Sequence, residues 1–236
     1  IPCIVGTQNG TKILENRQEI TTDCTSGGVG KVFLGKVPFK IRHYDLEKLP
    51  KLPVEISLNI GAPDVAFKYS FLPVKGVGLA REEFIIAEKI RIHPLALYRY
   101  KEIKDKKIKT EIDRLTTGYK DKTQYYIDKL TEGISQIAAA FWPYEVIVRF
   151  SDFKTNEYAA LIGGQLFEPQ ESNPMLGWRG ASRYYDERSQ PAFEMECQAI
   201  KKARKEFGLS NIVAEIPFCR TVEEGERDGC RLDTYQ

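Results

Sequence analysis

From Val54 onward the chain alternates short apolar runs with segments of helical periodicity, and this alternation limits the folds open to it. "VEISLNIG" (54–61) reads as a strand and "PDVAFKYS" (63–70) as a short helix. "GVGLAREEFIIAE" (76–88) runs from strand towards helix, and "HPLALYRYKEIKDKKIKTEIDRLTTG" (93–118) is mostly helical, its lysine run on a solvated face. "DKTQYYIDKLTEGISQIAAAFWP" (121–143) puts apolar residues at 127, 130, 134, 137, 138 and 141, one face of a helix. Asp121 suits its N-cap and Pro143 marks its end. "EVIVRF" (145–150), "NPMLGWRG" (173–180, short and followed by a loop) and "SNIVAEIPF" (210–218) read as further strands. "PAFEMECQAIKKARKEFG" (191–208) reads as a helix stopped by Gly208. Strands alternating with helices predict an α/β fold with parallel strands. Roughly five strand candidates follow Val54, where a closed (β/α)₈ barrel needs eight and about 250 residues.

The N-terminal stretch has a different grammar. In residues 1–37, "IPCIVG", "QEITTDC" and "GKVFLG" are β-prone runs separated by turn-rich pieces, as in part of a small β-rich domain that opens mid-pattern. Residues 38–53, with three prolines and many charges, read as a linker before a domain over 54–236. Thirty-five Lys and Arg against 33 Asp and Glu leave a net charge of +2, which argues against a general nucleic-acid or membrane-surface binder. There is no apolar run of bilayer length and no signal-peptide pattern, so a cytoplasmic location is expected. Cys3, Cys24, Cys197, Cys219 and Cys230 are scattered without a CxxC, and only His43 and His93 accompany them, so no zinc site of familiar spacing can be written.

Arginine recurs where apolar runs end. Arg81 closes "VGLAREE", Arg149 closes "VIVRFSD" and Arg179 lies in "PMLGWRGASR"; Arg220 in "AEIPFCRT" is a less clean case. The C-terminal strand ends of parallel α/β folds converge on the ligand face. Arginine recognises carboxylate and phosphate bidentately and stays charged at any working pH. Three such junctions predict a site for a small, multiply anionic ligand. For any single arginine the competing reading is an ion pair with a nearby acid such as Glu82, Asp152 or Glu215. "GGVGK" (27–31) fails the phosphate-loop pattern, since Val32 follows Lys31 and Thr25 holds the earlier glycine position, and reads as a β-turn. His93, before Pro94, reads as a capping or loop residue, and Cys219 as a buried, inert thiol.

Taken together, "IPCIVGTQNGTKIL", "LNIGAPDVAFKYSFLPVKGVGLAREEFII", "HPLALY", "LTEGISQIAAAFWPYEVIVRFSDFKTNEYAALIGG", "NPMLGWRGASRYY" and "NIVAEIPFCRTVEE" resemble the phosphoenolpyruvate synthases (pyruvate, water dikinases). "FSDFKTNEY" looks like that group rather than pyruvate phosphate dikinase or enzyme I of the sugar phosphotransferase system. The match covers most of residues 1–224 in the family's order. It implies that 1–37 are the tail of a swivelling phosphohistidine domain, 38–53 its linker, and the rest the first half of a (β/α)₈ TIM barrel that binds pyruvate. Arg81 and Arg149 then match the arginines that hold pyruvate or phosphoenolpyruvate, and Arg179 one near the transferring phosphoryl group. The parent protein is expected to use ATP and Mg²⁺ and to be a homo-oligomer. The family's phosphohistidine, its magnesium ligands (a glutamate and the aspartate of a Ser-Asn-Asp motif) and its acid cysteine match no residue here, and from about Glu226 the likeness ends. A non-catalytic assembly or regulatory homologue is the alternative. The 236-residue polypeptide alone is expected to be inactive; phosphoenolpyruvate formed from ATP, magnesium and pyruvate would contradict this.

Overall fold

"QEITTDC" and "GKVFLG" pair with each other: β1 (Ile20–Asp23) runs antiparallel to β2 (Lys31–Leu34), with Ile20 opposite Leu34 and Asp23 opposite Lys31. The computed structural model describes residues 3–25, 29–43, 45–50 and 52–227, and two compact units meet in sequence at Leu49 and Pro50. In the first unit the expected third run, "IPCIVG", makes no strand among the described residues. Gly6 and Gln8 both turn to positive φ, which breaks an extended run, and a single helical turn, α1 (Gly10–Ile13), follows. Gly27 and Gly28 of the turn expected at "GGVGK" lie outside the described residues, as does the stretch from 228 that holds Cys230. A 3₁₀ turn, Leu46–Lys48, is the one helical feature described in the proline-rich stretch.

The second unit is built on a parallel sheet. Its strands are β3 (Leu58–Ile60), β4 (Gly76–Arg81), β5 (Glu145–Arg149) and β6 (Ile212–Glu215), and they lie side by side in chain order. Helices carry every crossover. α2 (Ala66–Tyr69) lies between β3 and β4. Between β4 and β5 come α3 (Glu82–Ile85), a π turn (Ile86–Ile90), α4 (Pro94–Tyr98), α5 (Lys106–Leu115) and α6 (Lys122–Phe141). α7 (Thr155–Ala160), α8 (Ala181–Tyr184) and α9 (Gln190–Lys205) precede β6.

The helices begin and end for local reasons. Asp121 Oδ1 accepts from Thr123 N at 2.9 Å, and Asp105 Oδ1 accepts from Lys107 N at 2.8 Å, so each satisfies an amide that has no partner inside its helix. His93 caps α4 through Nδ1, which accepts from Leu95 N at 3.2 Å. α6 stops at Phe141, ahead of Pro143, and α9 ends shortly before Gly208 at φ +70°. All six predicted apolar positions of α6 are buried, and the helix packs on α4, α9 and β5. Each fully buried leucine or isoleucine there contributes roughly 1.5–3 kcal/mol of hydrophobic stabilisation. Asn211, just before β6, donates to Ala138 O at 3.0 Å and Tyr144 O at 2.8 Å, and so ties the end of α6 to the sheet.

Two expectations are corrected. "NPMLGWRG" is a turn-rich loop and not a strand: Met175 and Leu176 are exposed, and no neighbouring strand is there to take its amides. Cys219 is exposed; among the described residues the buried free thiol is Cys197, whose pKa burial pushes far up. No helix of the described residues is long and apolar enough to cross a membrane. Asp121→Ala should lower the unfolding free energy by about 1 kcal/mol through loss of the cap. Denaturant titration measures this, and an unchanged midpoint would show that the cap contributes nothing.

Candidate functional site

Parallel pairing puts two like charges next to each other. Arg81 is the register partner of Arg149 across β4 and β5, and Arg149 that of Glu215 across β5 and β6. Adjacent like charges at a strand end are unfavourable unless something negative answers them. Arg81 and Arg149 line a cleft of about 730 Å³, and Arg179 reaches the same cleft from its loop. Four basic residues (Arg81, Arg149, Lys154, Arg179) and four acidic ones (Glu83, Glu88, Asp152, Glu157) line it. The three arginines singled out in the sequence therefore share one site. Arg220 is not among the lining residues; it is exposed and donates to Gly177 O at 3.3 Å.

The arginines differ in how they are held. Arg149 Nη2 donates to Glu83 Oε1 at 2.5 Å, and its Nη1 lies 3.8 Å from Asp152 Oδ2. Arg149 Nε and Glu83 Oε2 are buried with no hydrogen-bond partner among the described residues. Arg179 grips Asp152 bidentately, Nε to Oδ1 at 2.8 Å and Nη2 to Oδ2 at 2.7 Å, and this raises its pKa further. Its guanidinium also stacks on Phe218, 4.3 Å from the ring centre. Arg81 makes no ion pair or hydrogen bond among the described residues; it lies 5.8 Å from the centre of the Phe84 ring. The ion-pair reading thus holds for Arg149 and Arg179 but not for Arg81.

Of the acids considered from the sequence, only Asp152 acts as a partner. Glu82 points into the core and Glu215 makes no salt bridge among the described residues. Glu83 takes Arg149 instead. The cause is the strand-to-helix turn at Arg81, which separates consecutive residues: Glu82 goes inward and Glu83 to the cleft. "REE" offers no means of telling the two apart.

A second set of contacts holds the Arg179 loop. Glu171 accepts from Trp178 N at 2.9 Å and from Thr155 Oγ1 at 2.8 Å. Arg183 lies between Trp178 and Tyr158, at 4.0 and 4.5 Å from their ring centres. It also donates to both oxygens of Glu168, at 2.7 and 2.6 Å. His93 Nε2 lies 2.9 Å from Glu168 Oε1, and since its Nδ1 accepts from Leu95 the proton sits on Nε2. Burial holds the pKa of His93 below its ordinary value, against the pull of Glu168. His93 is thus a neutral structural donor. Among the described residues no group of three His, Cys, Asp or Glu side chains is placed to hold a metal ion.

The family description "PEP-utilising enzyme, PEP-binding domain" matches residues 40–229. The chain belongs to this family. Among its relatives, the phosphoenolpyruvate synthase of Aquifex aeolicus is 47% identical over 272 residues, spanning 96% of this chain and 32% of the relative. That of Synechocystis is 48% identical, over 96% of this chain and 28% of the relative. That of Pseudomonas aeruginosa is 49% identical, over 96% of this chain and 29% of the relative. The chain thus spans about a third of the length of these relatives.

Within this PEP-binding domain, Gly180 sets the approach of Arg179. Its φ of +60° and ψ of −139° suit glycine alone, and a Cβ there would lie 2.4 Å from Pro217 O. Gly180→Ala should cost about 1–3 kcal/mol of stability and displace Arg179 from Asp152. Thermal unfolding with an anion titration checks this; wild-type values in both would show that the loop tolerates the strain.

Proposed function

We propose that this chain is a segment of a phosphoenolpyruvate synthase and that Arg81, Arg149 and Arg179 form the part of its site that grips pyruvate and phosphoenolpyruvate. The observation that carries the reading is the pairing of Arg81 with Arg149 at adjacent strand ends, with Arg81 left without an anionic partner. A ligand carboxylate or phosphate would answer the guanidinium of Arg81, which no acid holds among the described residues. Residues 54–236 are read as the first half of a (β/α)₈ barrel. The support is strand order: β3 to β6 lie in the sheet in the order of the chain, as in a singly wound barrel. Residues 1–37 are read as the tail of a phosphohistidine domain and 38–53 as a linker.

The overall reaction proposed for the whole protein turns ATP, pyruvate and water into phosphoenolpyruvate, AMP and phosphate by way of a phosphohistidine. Phosphoryl transfer asks a protein mainly for alignment and charge neutralisation. Arg81 offers a full set of donors, and Arg149 offers Nε. Glu83 and Asp152 hold Arg149 and Arg179 in fixed directions, so binding an anion need not order those side chains anew. The residues present bind and orient the substrate; no step is assigned here to the metal.

Arg149→Leu in the full-length protein should lower kcat/KM for pyruvate by at least about 100-fold, as expected when a charge-stabilising donor is removed. A variant with wild-type kcat/KM would return Arg149 to a purely structural ion pair with Glu83.

A further inference from the structure

Glu82, which turns away from the cleft, has no exposed surface, and neither of its oxygens meets a donor among the described residues. Within its hydrogen-bonding reach is the carboxyl of Glu196 on α9, which is equally buried. Two ionised carboxylates repel and cannot hydrogen-bond to each other; if one carries a proton, they can. Besides accepting from Tyr126 Oη on α6 at 3.4 Å, Glu196 reaches the end of β5. Ser151 Oγ donates to Glu196 Oε1 at 2.6 Å, and Ser151 N donates to Oε2 at 3.2 Å. Ser151 Oγ also lies 2.6 Å from Tyr158 Oη, and Tyr184 Oη donates to Ser151 O at 2.7 Å. The next amide, Asp152 N, donates to Glu83 at 2.8 Å, and the Asp152 side chain holds Arg179.

We propose that Glu82 and Glu196 are a positioning pair whose single shared proton fastens the Ser151–Asp152 end of β5, and with it Arg149 and Arg179, in the arrangement that receives the anion. The link to the anion rests on the function proposed for the cleft; the shared proton does not. Glu83 faces the pair from its own turn, Tyr126 from α6, Tyr158 from α7 and Tyr184 from α8. Arg183 and His93 line a cavity of about 10 Å³ together with Glu196, but both are bound to Glu168. No cation makes an ion pair with either carboxyl among the described residues. Burial pushes both pKa values up, that of Glu196 to about 7 and that of Glu82 well above the carboxyl range; the charges of Glu196 and Glu83 add to the rise at Glu82, and that of Glu83 to the rise at Glu196, which the contacts with Ser151 and Glu82 oppose. Glu196 is the member that ionises first, because Ser151 donates twice to it, and Glu82 keeps the proton.

The sign of the pH effect follows. The folded protein holds a proton that the unfolded chain releases above the ordinary carboxyl value of 4.5, so stability falls as pH rises above it. The test uses the full-length protein and Glu82→Gln, whose amide donates to Glu196 without a titrating proton. Between about pH 5 and about pH 8 the wild-type unfolding constant should rise about tenfold more per pH unit than that of the variant. Parallel curves would overturn the shared proton. Should the variant not fold, the infrared spectrum of the wild-type protein near neutral pH decides: a buried protonated-carboxyl band supports the proposal and its absence overturns it. Wild type and Glu82→Gln should bind phosphoenolpyruvate with equal Kd near neutral pH, and Glu82→Leu, which offers Glu196 no proton, several-fold more weakly. Equal Kd in all three would overturn the fastening role. Failure of wild type and Glu82→Gln to bind phosphoenolpyruvate at any pH would overturn the proposed function of the cleft, and the unfolding curves would still decide the shared proton.

Discussion

Two successive amides at the end of β5 are taken by two different glutamates. Ser151 N goes to Glu196 on α9, and Asp152 N goes to Glu83 at the start of α3. A parallel strand that runs out into a loop leaves its last amides without a ladder, and buried amides without acceptors are costly. Here the acceptors come from the helices on either side of the strand in sequence. The arrangement therefore locks α3, β5 and α9 together at the point where Arg149 leaves the sheet. Arg179 joins the same knot through Asp152, although it comes from a loop with no strand of its own.

This knot explains why the cleft can hold so much charge. Basic and acidic residues balance around it, so the cleft by itself is not a field of unanswered cations. Glu83 and Asp152 fix the guanidinium planes of Arg149 and Arg179, and Arg81 has no ion-pair partner among the described residues. Pre-organised donors of this kind stabilise an incoming anion without reorganising when it arrives. The cost of burying such pairs is offset only when geometry is good and remaining polar atoms are satisfied. The bidentate contact of Arg179 with Asp152 meets that standard, whereas the unmet Nε of Arg149 and Oε2 of Glu83 do not. Of the two, only Arg149 Nε is a donor that an anion could satisfy.

Much of this was legible in the sequence wherever one local rule dominated. The apolar period of α6, the cap at Asp121 and the alternation in "EVIVR" each fix an element without help from distant residues. Arg81 and Arg149 were legible as strand-end charges because "GVGLAR" and "EVIVR" are true strands. Arg179 reaches the same cleft as Arg81 and Arg149, but not from a strand end. "NPMLGWRG" has the apolar content of a strand but no neighbour to pair with, so it becomes a loop pinned by Glu171 and Arg183. The roles of Glu82 and Glu83 were not legible, since they depend on how a single turn at the end of β4 divides adjacent identical side chains. Glu196 looked like one more polar residue in "FEMECQA", and its importance appears only when Ser151, distant in sequence, is brought against it.

The central claim is that the ends of β4 and β5 form an anion grip in a PEP-binding domain. A crystal structure of the full-length protein with phosphoenolpyruvate bound tests it most directly. The account predicts ligand carboxylate or phosphate oxygens within hydrogen-bonding distance of both Arg81 and Arg149, with the Arg179–Asp152 pair in place beside them. Phosphoenolpyruvate bound away from both strand ends, with Arg149 still held only by Glu83, would contradict it.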